Sequence, residues 1–311
     1  MKRTLHTDTA PGRKRTGRFA FPNLLDMVVL LALFAASSLL AALCVSRLGW
    51  PMTPSDTPAW SRTLFVLYVI QMGTMILATL GYRRLRGGTH RVASLSWRGL
   101  DPLPLLWGVA VVLAVGIVLE PLLDALECDL FPLPEIGHGG WALLSAVAAA
   151  PLLEELLCRG LLLESLRARY GVVTAWAGSS LFFAVIHLQP AQAVNAFVTG
   201  LLLGFLCLAT RSLWMPVLLH AFNNALALLL MRAELPGERF RGKVLSEMSF
   251  RQIVGDTWLW LVIYTAAAVF LLLSAAAVWR KLHLMRLDEQ KKCTSEVINP
   301  APDALNFDKK V

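Results

Sequence analysis

The sequence predicts an all-α, polytopic transmembrane bundle of about eight spans. Three observations carry that expectation. Of the 311 residues, 56% are hydrophobic and 16% charged, with a mean hydropathy of +0.59, a more apolar balance than that of an ordinary soluble domain. The apolar residues gather into stretches close to the roughly 20 needed to cross a bilayer at about 1.5 Å per residue. The alternation of an outer-membrane barrel is missing, so helices are left to satisfy the backbone in lipid.

Taken in order, the first span, Leu24 to Val45, follows a basic tail with Lys2, Arg3, Arg13, Lys14, Arg15 and Arg18. That tail lacks the short apolar segment and small-residue cleavage site of a removable signal peptide. A loop with Gly and Pro, Gly49 to Pro58, leads to the second span, Leu64 to Tyr82. The loop Gly87 to Gly99 leads to the third, Leu103 to Leu123, and Pro132 to Gly140 to the fourth, Trp141 to Leu163. These loops read as connections between helices. The fifth span, Val172 to Leu188, follows a turn near Tyr170-Gly171; the sixth is Val194 to Thr210, the seventh Leu213 to Leu230 and the eighth Trp258 to Trp279. From Leu287 the chain reads as a polar, mobile tail. No internal repeat of 20 to 50 residues emerges.

Charge orients the bundle. Arg83, Arg84, Arg86, Arg91 and Arg98 cluster in the second loop, and Arg280, Lys281, Arg286, Lys291 and Lys292 follow the last span. The third loop carries Glu120, Asp124, Glu127, Asp129 and Glu135 without a Lys or Arg. The positive-inside rule then puts both termini in the cytoplasm. Arg232, Arg239, Arg241, Lys243 and Arg251 oppose it, and a re-entrant sixth segment would reconcile them. The net charge of +8 flanks spans instead of forming a separate basic domain, so anionic lipids are the expected partners and nucleic acid is not. Cys44, Cys128, Cys158, Cys207 and Cys293 are scattered without C-x-x-C pairing, which indicates neither a disulfide framework nor a thiolate zinc site.

Function is expected where polar residues interrupt apolar segments, because an ionisable group in hydrocarbon is costly. Glu155 and Arg159 are four apart, stacked on one helix face and able to pair. Glu154 lies about 100° around the helix, free to face another neighbour. Adjacent glutamates in a low dielectric are expected to titrate as a coupled pair, and Glu154 becomes the candidate general base. Pro151 removes a backbone donor and is expected to kink the helix beside them. Counted from the turn at Tyr170-Gly171, Glu154 and His187 each lie roughly 25 Å away along antiparallel helices. His220 is about 10 Å into its span with Asn224 one turn further on the same face. A shared pocket is compatible with this counting. For each piece a structural reading stands beside it: an ion pair joining helices, a histidine at the interface, a His–Asn clasp between helices, and Phe183 as packing.

The stretches Glu154-Glu155-Leu-Leu-Cys-Arg159, Phe183-Ala-Val-Ile-His187 and His220-Ala-Phe-Asn-Asn224 resemble the three motifs E-E-x-x-x-R, F-x-x-x-H and H-x-x-x-N of the CPBP intramembrane proteases. This family is also called Abi, or type II CAAX prenyl endopeptidase-like. The resemblance covers about Ser145 to Leu230 and implies a glutamate-dependent endopeptidase with its site in the membrane, open to the cytosol. It implies that Glu154 activates water with help from His187, that His220 and Asn224 stabilise the oxyanion, and that Glu155 and Arg159 orient the site. No cofactor is implied. Zinc held by Glu154, His187 and His220 is the competing mechanism.

The expected organisation is a basic cytoplasmic tail (1–20), N-terminal spans (21–140), a catalytic membrane core (141–232), an outer loop and last span (233–280) and a polar cytoplasmic tail (281–311). The expected substrate is a membrane-associated protein or peptide, and the expected location a bacterial cell membrane. A proton-coupled transporter and a non-catalytic immunity or scaffold protein are the rival readings.

Overall fold

A computed structural model describes residues 21–52, 58–88, 91–97, 100–126, 139–233, 236, 243–245 and 248–298. The basic tail 1–20, most of the acidic loop (127–138), Arg98, Arg239, Arg241 and the final residues from 299 lie outside the described residues.

Nine helices make up the described chain, and they form a membrane bundle. They are α1 (Leu24–Arg47), α2 (Pro58–Leu85), α3 (Pro102–Leu126), α4 (Gly140–Tyr170), α5 (Val172–Val185), α6 (Pro190–Thr210), α7 (Trp214–Leu230), the short α8 (Phe250–Val254) and α9 (Thr257–Ile298). Every expected span is helical, but the count of eight is corrected: six helices are long and apolar enough to cross a membrane. The shorter two are α5 and α7, with 14 and 17 residues, about 21 and 26 Å at the helical rise. The sixth segment, considered for re-entry, is a full-length helix of 21 residues.

The reason for the shortfall is local. The apolar run of the fifth segment continues to Leu188, but Pro190 opens α6 and holds Gln189 in an extended conformation (φ −73°, ψ 130°). The reversal between the helices is completed by Leu188 at φ 59°. Hydropathy registers the apolar residues and not the turn that consumes them.

At the other extreme, α9 runs for 42 residues, about 63 Å. Residues from Leu287, expected as a mobile tail, are helical as far as Ile298. Glu289 in this extension accepts hydrogen bonds from Arg167 Nε at 2.7 Å and from the Val172 backbone N–H at 3.1 Å. It thereby ties α9 to the end of α4 and caps the start of α5.

A capping box starts α1: Asn23 and Asp26 exchange side-chain to backbone hydrogen bonds, each 2.8 Å. Buried Asp26 also accepts from Tyr82 Oη at 2.7 Å and Arg86 Nε at 2.8 Å, which locks the ends of α1 and α2 together. Two apolar clusters fill the bundle. One joins Leu30, Met72 and Met75 to Leu157, Leu161, Phe182 and Leu213; the other joins Val111 and Val115 to Leu203, Leu206 and Leu219. The outward face of α9 stays apolar and exposed, as lipid requires.

Candidate active site

Helix α4 carries the site, and it is wound unusually. Two π-helical stretches, Leu144–Ala149 and Leu156–Leu163, flank a short α-helical stretch, Ala150–Glu155, that holds Pro151 and both glutamates. The expected disturbance at Pro151 takes this form. In the first π stretch the Ala150 N–H reaches back five residues to Ser145 O, so the next donor due, for Ala146 O, belongs to residue 151. Proline has none. The missing donor is supplied by Asn224, whose Nδ2 donates to Ala146 O at 2.9 Å. The same amide's Oδ1 is 3.4 Å from Asn223 Nδ2. Widened π turns of this kind recur at functional sites.

Glu155 and Arg159 form the pair their spacing predicts. Arg159 Nη1 donates to Glu155 Oε1 at 2.7 Å, with both side chains 0% exposed. Arg159 Nη2 donates to Gly200 O at 3.0 Å, and the guanidinium lies 4.6 Å from the centroid of Phe183, within cation–π range. Gly200 has no space for a side chain. A Cβ there would sit 3.2 Å from Arg159 Nη2 and 3.3 Å from both Phe183 Cδ1 and Ser180 Cβ.

Glu154 faces elsewhere, as its position on the helix requires. Its Oε1 accepts from Tyr68 Oη of α2 at 2.5 Å, and its Oε2 lies 3.7 Å from His220 Nε2. The other ring nitrogen of His220, Nδ1, is 3.0 Å from Glu155 Oε1. Because Arg159 holds that oxygen as an acceptor, Nδ1 of His220 carries the proton and donates. One imidazole therefore links the buried glutamate to the half-buried one.

His187 stands in the reversal after α5, one residue before the left-handed Leu188. Its Nδ1 is 2.7 Å from Phe183 O. A carbonyl only accepts, so Nδ1 carries a proton and donates, and in the neutral ring Nε2 keeps a lone pair. His187 makes no hydrogen bond to either glutamate and joins the cluster through Phe183, whose ring is edge-on to His187 at 4.7 Å and to His220 at 5.6 Å. A non-glycine residue at positive φ costs on the order of 1–2 kcal/mol, and Leu188 holds it directly after His187.

Of the six candidate residues, Glu154, Glu155, Arg159 and His220 are joined by direct contacts, His187 joins them through Phe183, and Asn224 stands apart on the α4 backbone carbonyl. Phe183, read from sequence as packing, packs on Arg159, His187 and His220 together. The sequence reading missed Tyr68, whose only signal was a hydroxyl within an apolar run, and Ala146 O, which carries no side-chain signal. Zinc was the competing expectation at Glu154, His187 and His220. Among the described residues no three His, Cys, Asp or Glu side chains gather into a group able to hold a metal, and both histidine rings pack on Phe183.

A helical bundle that gathers two glutamates, an arginine and two histidines inside its apolar core defines an integral membrane protein. Residues 137–226 match the sequence model of the family described as type II CAAX prenyl endopeptidase Rce1-like, the family to which the three motifs point. An Escherichia coli relative, "Uncharacterized 24.3 kDa protein", is 33% identical over 141 residues, covering 40% of this chain and 63% of the relative. The chain thus spans less than two thirds of that relative's length. A Bacillus subtilis (strain 168) relative, "Putative membrane peptidase YdiL", is 21% identical over 182 residues, covering 55% of this chain and 70% of the relative. No solved structure matches the chain.

Proposed function

We propose that the protein is an intramembrane endopeptidase of the glutamic type, acting on a membrane-associated protein or peptide without a metal. The observation that carries this reading is the division of labour between neighbouring carboxylates. Glu155 is neutralised by Arg159 at 0% exposure, whereas among the described residues Glu154 meets no cation of the Lys or Arg type and keeps a side chain 12% exposed. A base has to reach water, and of the two carboxylates Glu154 is the one with exposed surface.

In the proposed reaction Glu154 Oε2 takes a proton from water, held from the other side by the lone pair on His187 Nε2. The water oxygen adds to the peptide carbonyl. The resulting oxyanion is met by the Asn224 amide and by His220, which enters the step as the imidazolium, donates through its Nε2–H and keeps both ring protons throughout. Collapse breaks the C–N bond and returns the proton from Glu154 to the leaving nitrogen. Glu155 holds His220 through Nδ1, and Arg159 keeps Glu155 ionised. The family match over the core and the name of the Bacillus relative support the peptidase class. The basic clusters at 83–98 and 280–292 support cytoplasmic termini and contact with anionic lipids in a bacterial cell membrane.

The test is cleavage profiling of the purified protein in detergent, wild type against Glu154→Ala and His187→Ala, with and without chelator. Loss of a general base costs about 10²- to 10⁴-fold, and losses of that size are expected for both variants, with no effect of chelator. Cleavage that survives both substitutions would sink the peptidase assignment. Cleavage abolished by chelator and restored by zinc overturns the metal-free mechanism.

A further inference from the structure

We propose that Tyr68 is a positioning residue of the same site, its hydroxyl holding the Glu154 carboxylate so that Oε2 is the oxygen that takes the proton from water. This inference rests on the glutamic-peptidase reading. It adds to that site a residue from α2, which lies outside the segment 137–226 that matches the family.

The contact is direct. Tyr68 Oη is 2.5 Å from Glu154 Oε1. A tyrosine hydroxyl is protonated near neutral pH and an ionised carboxylate has no proton to give, so Tyr68 donates. Hydrogen bonds to a charged acceptor are shorter and stronger than neutral ones. Among the described residues, this is the one hydrogen bond Glu154 accepts, because its other oxygen lies 3.7 Å from His220 Nε2, beyond hydrogen-bonding distance. Without the phenol, no hydrogen bond among the described residues fixes the rotation of the carboxylate.

The phenol is itself held. Phe65, one turn before Tyr68 on the same stripe of α2, packs on Trp141 of α4 with ring centroids 5.3 Å apart. Met72 and Met75, one and two turns later, are buried at 1% and 0% exposure. The register of α2 against α4 is therefore set on both sides of Tyr68 by apolar contacts that do not depend on the hydroxyl. A rigid donor on a packed helix is what a preorganised site requires.

Occupation of Oε1 leaves Oε2 as the reactive oxygen, facing His220. In each turnover a proton passes from water to Oε2 and then to the leaving nitrogen, while the Tyr68 proton stays on Oη. Tyr68 touches no reacting atom, and its effect is confined to the orientation of Glu154.

The test compares wild type, Tyr68→Phe, Glu154→Gln and the double variant on a quenched-fluorescent library of apolar helical peptides in detergent. Infrared spectroscopy of the same proteins provides a readout independent of substrate. Tyr68→Phe is expected to lower kcat 10- to 100-fold with KM within twofold of wild type, and the double variant to be no slower than Glu154→Gln. The phenolic C–O band isolated by subtracting the Tyr68→Phe spectrum is expected to move in Glu154→Gln, where the charged acceptor is gone. Where Tyr68→Phe does not fold, the difference spectrum between wild type and Glu154→Gln still shows whether a tyrosine C–O band moves. Wild-type kcat in Tyr68→Phe beside an inactive Glu154→Gln overturns the Tyr68 proposal and leaves the peptidase reading standing. A rise in KM alone makes Tyr68 a substrate contact and overturns it too, as does a C–O band indifferent to Glu154→Gln. Wild-type activity in Glu154→Gln, or no cleavage by the wild type across the whole library, overturns the peptidase reading itself, and the infrared band still decides whether Tyr68 holds Glu154.

Discussion

Replacing Arg159 by methionine removes a fully buried guanidinium and leaves the Glu155 carboxylate, 0% exposed, with His220 as its one partner among the described residues. Breaking a buried ion pair from one side costs about 3–5 kcal/mol, because the surviving charge stays desolvated. The lost hydrogen bond to Gly200 O adds little to that, since this carbonyl lies inside α6 and keeps its intrahelical donor. Glu155→Gln is expected to be milder, because its amide oxygen still accepts from His220 Nδ1 and from Arg159. The double variant, Glu155→Gln with Arg159→Met, carries no buried charge at either position. Its cost is expected to fall below the sum of the singles, giving a coupling of about 2–3 kcal/mol at the upper end for contacting residues. Unfolding by sodium dodecyl sulfate in mixed micelles, followed by tryptophan fluorescence, measures all four corners of the cycle. Singles that each cost below about 1 kcal/mol and add to within about 0.5 kcal/mol would show that Arg159 does not hold Glu155 by charge.

Two further perturbations address the scaffold around the site. Asn224→Ala orphans Ala146 O and is expected to cost about 1–3 kcal/mol, but less in a Pro151→Ala background, where residue 151 regains the N–H that the π stretch lacks; equal costs in both backgrounds on the same unfolding assay refute the exchange of donors. Glu289→Ala removes the partner of Arg167, about one third exposed, and the acceptor for the Val172 N–H. A partly exposed pair adds little, so a total near 1 kcal/mol is expected, dominated by the cap, with faster hydrogen exchange at Val172 as its signature.

Much of the fold was legible because lipid simplifies the code: a backbone that cannot reach water has to be helical, and hydropathy then locates the helices. What hydropathy misjudged were the ends. At Leu188 the chain reverses through a left-handed leucine, a decision made by Pro190 and by packing against α6 that no apolar count contains. Beyond Trp279 the error ran the other way. The residues Arg280 to Lys292 are strong helix formers, and polarity was mistaken for the end of a helix that merely leaves the bilayer and docks through Glu289.

The site divides along the same line between local and tertiary information. The Glu155–Arg159 pair follows from a spacing of four, and the outward turn of Glu154 from a spacing of one, so both were available from helical geometry alone. Tyr68 was not, since its contact with Glu154 joins residues 86 apart and depends on how α2 is rotated against α4. Nor was the task of Asn224, because it answers a backbone carbonyl freed by a proline in a π-helical turn. An apolar segment that pairs a proline with carboxylates therefore raises a question that can be posed from sequence: which neighbouring side chain donates to the carbonyl that the proline leaves bare. In this protein the answer is the asparagine of the third motif. That gives Asn224 a structural duty alongside the catalytic one proposed for it, and its substitution has to be read on stability before it is read on activity.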